Sequence, residues 1–328
     1  MRTIAIEEHY TTAMYRQQVP ANEFRNFYLT SRSEQLGHDI AAELGELGAR
    51  RIAAMDAAGI DVQVLSFGSP GPQGFARDVA MPMARDANDR LHEAMRAHPG
   101  RFEGFAALPT ADPAAAADEL ERCVRKLGFR GAMIHGHQQG EFLDERKYWP
   151  VFERAEALGV PIYLHPTLAH PKALESYFKG YEELARAAWG FAIDTSCHFL
   201  RIVFAGVFDA YPRLKIILGH LGEGLPFAMH RLDDHAGRAA ARRGLAKRPL
   251  EYLRDNLLVT TSGNWYEPAF VCTLLALGAD NILFAADWPY EANTTAAEFL
   301  RKISISEGDR EKIAHRNAER LLGIRSAS

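Results

Sequence analysis

The chain has 328 residues, 47% of them apolar and 24% charged, with a formal net charge of −4. That length and composition suit a globular protein with a full hydrophobic core and exclude a disordered or collagen-like chain. The near-neutral balance excludes the basic stripe of a nucleic-acid binder, and three widely spaced cysteines, Cys123, Cys197 and Cys272, exclude a disulfide framework or a CxxC metal site.

The first predicted strand, 2–9 (RTIAIEEH), ends in Glu7, Glu8 and His9. Alternation along a strand puts Glu7 and His9 on one face and Glu8 on the other, an arrangement that suits a metal. A connection rich in Tyr, Phe and Gln follows at 10–41, and then a helical pattern at 42–59. Further strands are predicted at 61–68, 101–108, 129–136 and 161–166, with helices at 113–128 and 148–159 between them. Several helical segments end in Gly just before the next strand, as a helix stop should. The connection at 167–199 carries Tyr177, Phe178, Tyr181, Trp189 and Phe191, an aromatic enrichment read here as a subunit contact in preference to a pocket wall. The last strands are predicted at 215–222, 257–263 and 282–289.

Eight β–α repeats predict a closed (β/α)8 barrel, a single domain over residues 1–328 with long loops after strands one and five. Neither GxGxxG nor GxxxxGK[ST] follows the first strand, which weighs against a doubly wound open sheet and against an organic cofactor. No apolar stretch approaches the roughly 18 residues of a membrane span, and no signal-peptide layout opens the chain. The expectation is a cytoplasmic protein with neither membrane nor nucleic-acid partners.

Barrel enzymes build their sites at the C-terminal strand ends. Those ends carry Glu7 and His9, His165, His220 and Asp287. His135, His137 and His170 are weaker candidates for the pocket wall. His198 reads as a core group, and His38, His92, His98, His230, His235 and His315 read as solvated.

The motifs EEH, LHP (164–166), PRLKIILGHLGEGLPFAMHRLDDH (212–235), TTSGN (260–264) and FAADWPYE (284–291) occur in this order. Together they resemble the amidohydrolase superfamily, and more narrowly its non-oxidative decarboxylases of ortho-hydroxybenzoates. The resemblance implies that Glu7, His9, His165 and Asp287 hold one divalent metal ion, Mn2+, Zn2+ or Mg2+. It implies that His220 and Glu223 act with Asp287 on the reacting carbon, and that Arg231 and Tyr290 bind substrate. It also implies a small aromatic carboxylate as substrate and a homodimer or homotetramer as the assembly.

Two carboxylate ligands cancel the charge of a divalent ion and blunt its power to acidify water, which favours decarboxylation over hydrolysis. Hydrolysis of a lactone or amide by a metal-bound hydroxide is the alternative. Decarboxylation requires protonation of C1 before CO2 leaves, a step assigned here to Asp287 backed by His220 and Glu223, with His220 as the alternative donor.

Overall fold

The computed structural model describes residues 1–19 and 23–325, so residues 20–22 of the predicted 10–41 connection and the final 326–328 lie outside the described ones. Eight strands form one parallel sheet in chain order: β1 (Ile4–Tyr10), β2 (Val62–Phe67), β3 (Phe102–Ala107), β4 (Gly131–His135), β5 (Ile162–His165), β6 (Ile216–Leu218), β7 (Leu257–Thr260) and β8 (Ile282–Leu283). Backbone bonds from Ile6 N to Phe284 O (3.2 Å) and from His9 N to Trp288 O (2.7 Å) join β1 to the chain following β8 and close the barrel.

The predicted helices occur with shifted ends. The 42–59 pattern is two helices, Ile40–Leu44 and Ala49–Ala58, interrupted at Gly45 and Gly48, while 148–159 is Trp149–Leu158. The 113–128 segment is an α-helix, Pro113–Arg122, that widens into a π turn at Cys123–Leu127. Gly159 caps its helix at φ 68° and donates to Ala155 O and Glu156 O, a left-handed conformation that side chains resist and that turns the chain into β5. Among the described residues no helix is long and apolar enough to cross a membrane.

Two layers of apolar side chains hold the barrel. Ile4, Ile6, Val62, Val64, Phe105, Met133, Tyr163, Ile217, Leu258 and Leu283 pack together inside it. A larger cluster, including Leu65, Phe67, Met83, Leu91, Leu164 and Leu218, packs the outer strand faces against the helices. Burial of this kind is the main driving force for the fold.

β1 departs from simple alternation. Ala5 pairs with Gln63 but Glu8 pairs with Leu65, so β1 holds one extra residue between them. A bulge shifts the parity of every later residue. Ile4 and Ile6 therefore point into the barrel, and Glu7 and His9 also face the interior one turn higher.

The strands predicted at 215–222 and 282–289 end early, at Leu218 and Leu283. The residues beyond them leave the ladder because His220, Leu221, Glu223 and Asp287 take left-handed φ values of 52°, 59°, 54° and 70°. Such values are costly for non-glycine residues and concentrate at functional sites.

Candidate metal centre and active site

Glu7 and His9 on β1, His165 at the end of β5 and Asp287 beyond β8 each offer one ligand atom, and these four atoms lie within 4.8 Å of one another. Glu7 Oε1, His9 Nε2 and Asp287 Oδ1 are buried and make no hydrogen bond of proper geometry. They face one another instead: His9 Nε2 stands 3.2 Å from Asp287 Oδ1, and His165 Nε2 stands 3.4 Å from Glu7 Oε1. Buried polar atoms left without partners are rare and call for an occupant. Two carboxylate oxygens and two imidazole nitrogens are the donors that Mn2+, Mg2+ or Zn2+ accept, so the residues fit a divalent ion.

Neighbouring groups aim these ligands. His135 Nε2 donates to Phe67 O (2.6 Å), which leaves its Nδ1 to accept from His165 Nδ1 (3.0 Å). His165 Nδ1 also lies 2.7 Å from Pro166 O. This network assigns the His165 proton to Nδ1 and leaves Nε2 free for a metal. Burial, with His9 and His135 adding to it, drives the His165 pKa well below the usual imidazole range, and burial takes His135 to about 3. Both rings are neutral, as a ligand and its support must be. His9 Nδ1 meets Ser66 Oγ at 3.3 Å, which leaves its Nε2 toward the cluster.

Glu7 is held by Tyr163 Oη and by Thr260 Oγ1 (3.0 Å), both on Oε2, so that Oε1 faces the cluster. A Cβ at Gly219 would lie 2.9 Å from Glu7 Oε1 and 3.0 Å from Oε2, so only glycine leaves room for the carboxylate there.

Beside the ligands, His220 Nδ1 bonds Glu223 Oε1 at 2.7 Å, and His220 Nε2 stands 3.8 Å from both Glu7 Oε1 and Asp287 Oδ2. Burial alone would depress the His220 pKa. The carboxylates of Glu223, Glu7 and Asp287 outweigh it and hold the imidazolium well above its usual range. Burial would raise Asp287, yet the neighbouring His220 and His9 rings keep its carboxyl below the usual value.

A family model described as Amidohydrolase matches residues 30–324. The chain belongs to this family. A gamma-resorcylate decarboxylase from Polaromonas sp. (strain JS666 / ATCC BAA-500) is 42% identical to this amidohydrolase over 295 residues, covering 87% of this chain and 90% of that protein. The solved structure of a 2,6-dihydroxybenzoate decarboxylase complexed with 2,6-dihydroxybenzoate superposes with a TM-score of 0.88 at 36% identity, over 99% of this chain and 100% of that one. A dihydroxybenzoic acid decarboxylase from Polaromonas sp. JS666, solved with bound manganese and the inhibitor 2-nitroresorcinol, superposes with a TM-score of 0.88 at 38% identity, over 99% and 98% of the two chains.

Above the ligand cluster the amidohydrolase has a cavity of about 280 Å³, which His165, His220, Asp287 and Tyr290 line together with Pro166, Leu168, Arg186 and Phe191. The Tyr290 ring lies 5.6 Å from that of His9. Within this single chain Arg231 is exposed on the helix Leu225–Arg242 and is absent from the cavity lining. Phe191 of the second long connection lines the pocket, while Tyr177 (71% exposed), Tyr181 and Trp189 face outward. His38, read from the sequence as solvated, is half-buried: its Nε2 lies 2.9 Å from Pro289 O and its ring packs 4.5 Å from Trp288. His198 is fully buried, as a core group should be, and accepts from Leu143 N at 2.9 Å.

Sequence reasoning missed Tyr163, Thr260 and Ser66, and His135, a weaker candidate for the pocket wall, is a buried support for His165. One signal was present. Tyr163 stands two residues before His165, so both point inward from β5.

Proposed function

We propose that this amidohydrolase is a divalent-metal-dependent, non-oxidative decarboxylase of a small ortho-hydroxylated benzoate. The observation that carries this reading is the pairing of a four-ligand cluster with the hydrogen-bonded His220–Glu223 pair under one cavity sized for a single aromatic ring. Two carboxylate ligands would offset the charge of a divalent ion and blunt its power to acidify water, which disfavours a hydrolase. An ion held by Glu7, His9, His165 and Asp287 would supply positive charge for the substrate carboxylate and its ortho oxygen. Manganese in the Polaromonas enzyme favours Mn2+ as that ion.

In this reading Tyr290 and Phe191 flank the ring and hold C1 toward Asp287. The proton stored on His220 passes to Asp287 and then to C1, forming the C1–H bond. The bond from C1 to the carboxylate then breaks, CO2 leaves, its bonding electrons restore the aromatic ring, and His220 regains its proton from solvent. Direct delivery from His220 is the second reading, favoured by the opposite directions of the two pKa values. Asp287→Asn retaining near-normal turnover would select it. The aromatic and aliphatic side chains left exposed on the outer helices, Phe227 (88%) and Leu275 (82%) above all, support a homo-oligomer as the working form.

The test is CO2 release and ultraviolet loss of substrate by metal-reconstituted protein. The panel is 2-hydroxy-, 2,3-, 2,4- and 2,6-dihydroxybenzoate and 5-carboxyvanillate. Turnover of an ortho-hydroxy acid, abolished by a chelator and restored by Mn2+, is the expected result. Metal binding with no turnover across the panel would refute the reading and turn attention to lactones and amides.

A further inference from the structure

Glu8 stands between two ligands in sequence but faces away from them, fully buried in the barrel wall. Its Oε1 accepts from Ala286 N at 2.8 Å and its Oε2 from Trp288 N at 3.0 Å. These are the amides on either side of Asp287, which sits in a left-handed conformation with φ 70°. A non-glycine residue does not keep that conformation unless its neighbours enforce it. The adjacent His9 amide takes Trp288 O at 2.7 Å, so two successive residues of β1 pin residues 286–288 at three points.

The clamp is itself held. Gln63 Nε2 donates to Glu8 Oε2 (3.3 Å), and Gln63 Oε1 accepts from Arg51 Nη1 (3.3 Å), which sets the amide the right way round. Arg51, equally buried, donates to His9 O (2.6 Å) and Glu46 O (2.8 Å) and so ties Gln63 to the β1 backbone.

We propose that Glu8 is a positioning residue whose carboxylate grips the backbone on both sides of Asp287 and thereby sets where the Asp287 carboxylate points. It touches neither the ion nor the substrate. Through Asp287 it fixes Oδ1 against His9 Nε2 and Oδ2 toward His220 Nε2, the two contacts at 3.2 Å and 3.8 Å. Its effect on turnover rests on the decarboxylase reading, but its effect on the ligand geometry does not.

Glu8→Gln keeps the shape and gives up one acceptor, turning an NH2 group against a backbone N–H. The variant should bind Mn2+ with the wild-type stoichiometry, while its electron paramagnetic resonance spectrum changes because one ligand is displaced. Turnover per metal-loaded site should fall about 10- to 100-fold, as small misplacements of reacting groups do. KM should stay within about threefold, which marks loss of an interaction felt mainly in the transition state. Should Glu8→Gln fail to fold, Glu8→Asp keeps the charge facing Arg51, draws the carboxylate back by one methylene and carries the same expectations. A wild-type spectrum with wild-type turnover per loaded site would overturn the proposal, and so would activity lost only in proportion to metal content. A wild-type protein inactive on every hydroxybenzoate would refute the decarboxylase reading alone and leave the spectrum to decide the clamp.

Discussion

At the scale of single residues, the two oxygens of Glu7 have different tasks. Oε2 is taken by Tyr163 and Thr260, and Oε1 is left for the cluster. Removing the phenol in Tyr163→Phe should weaken metal affinity about 10- to 100-fold, a cost typical of lost support behind a ligand, as isothermal titration with Mn2+ would show. Glu7→Gln should deplete the metal outright, measured as metal per chain after desalting. The His220–Glu223 pair predicts a pH effect. His220 is raised, so its protonated form persists below that raised pKa and is lost as pH climbs through it; an activity that needs this proton falls along the same limb. With Glu7 and Asp287 engaged by a cation, Glu223 is the main carboxylate sustaining the shift. Glu223→Gln should therefore move the alkaline limb of the kcat profile to lower pH, and an unmoved limb would remove His220 as the proton store. The ligands themselves were legible because strand ends in a barrel converge on one mouth. Their supports were not, because Tyr163, Thr260, Ser66 and His135 gain their meaning only from residues on other strands.

At the scale of elements, the turn after β6 repays attention. Gly219, His220, Leu221, Gly222, Glu223 and Gly224 bend the chain through several left-handed residues, bringing His220 and Glu223 over the barrel mouth and into contact. A methyl group at Gly219 meets the Glu7 carboxylate, so Gly219→Ala should leave the fold intact while lowering metal occupancy, as circular dichroism and metal analysis together would establish. Strand and helix order was readable because apolar runs alternate with amphipathic ones along the whole chain. The early ends of β6 and β8 were not, since "IILGHLG" and "ILFAADWP" look like continuous strands until backbone angles are known. The extra residue in β1 was equally hidden: it changes no composition, only the partner that each residue meets.

At the scale of the whole molecule, the ion and the fold stabilise each other. Three buried ligand atoms lack hydrogen-bond partners among the described residues, so folding without a cation leaves their desolvation uncompensated. A ligand that binds only the native state adds about 2.7 kcal/mol when its free concentration is 100 times its Kd. Chelation should therefore lower the melting temperature by several degrees, recovered on adding Mn2+. The exposed apolar side chains of Phe227 and Leu275 belong to this scale too. They test the proposed homo-oligomer: on that proposal Leu275→Glu shifts the sedimentation coefficient in analytical ultracentrifugation to a smaller species, and an unchanged coefficient removes Leu275 from the interface. The seam between β1 and the chain after β8 has a temporal consequence. Glu7 and His9 lie on the first strand and Asp287 follows the last, yet all three must meet at that seam. Before the sheet closes, Glu7, His9 and His165 lack their fourth partner, so a site of four ligand atoms exists only in the closed barrel.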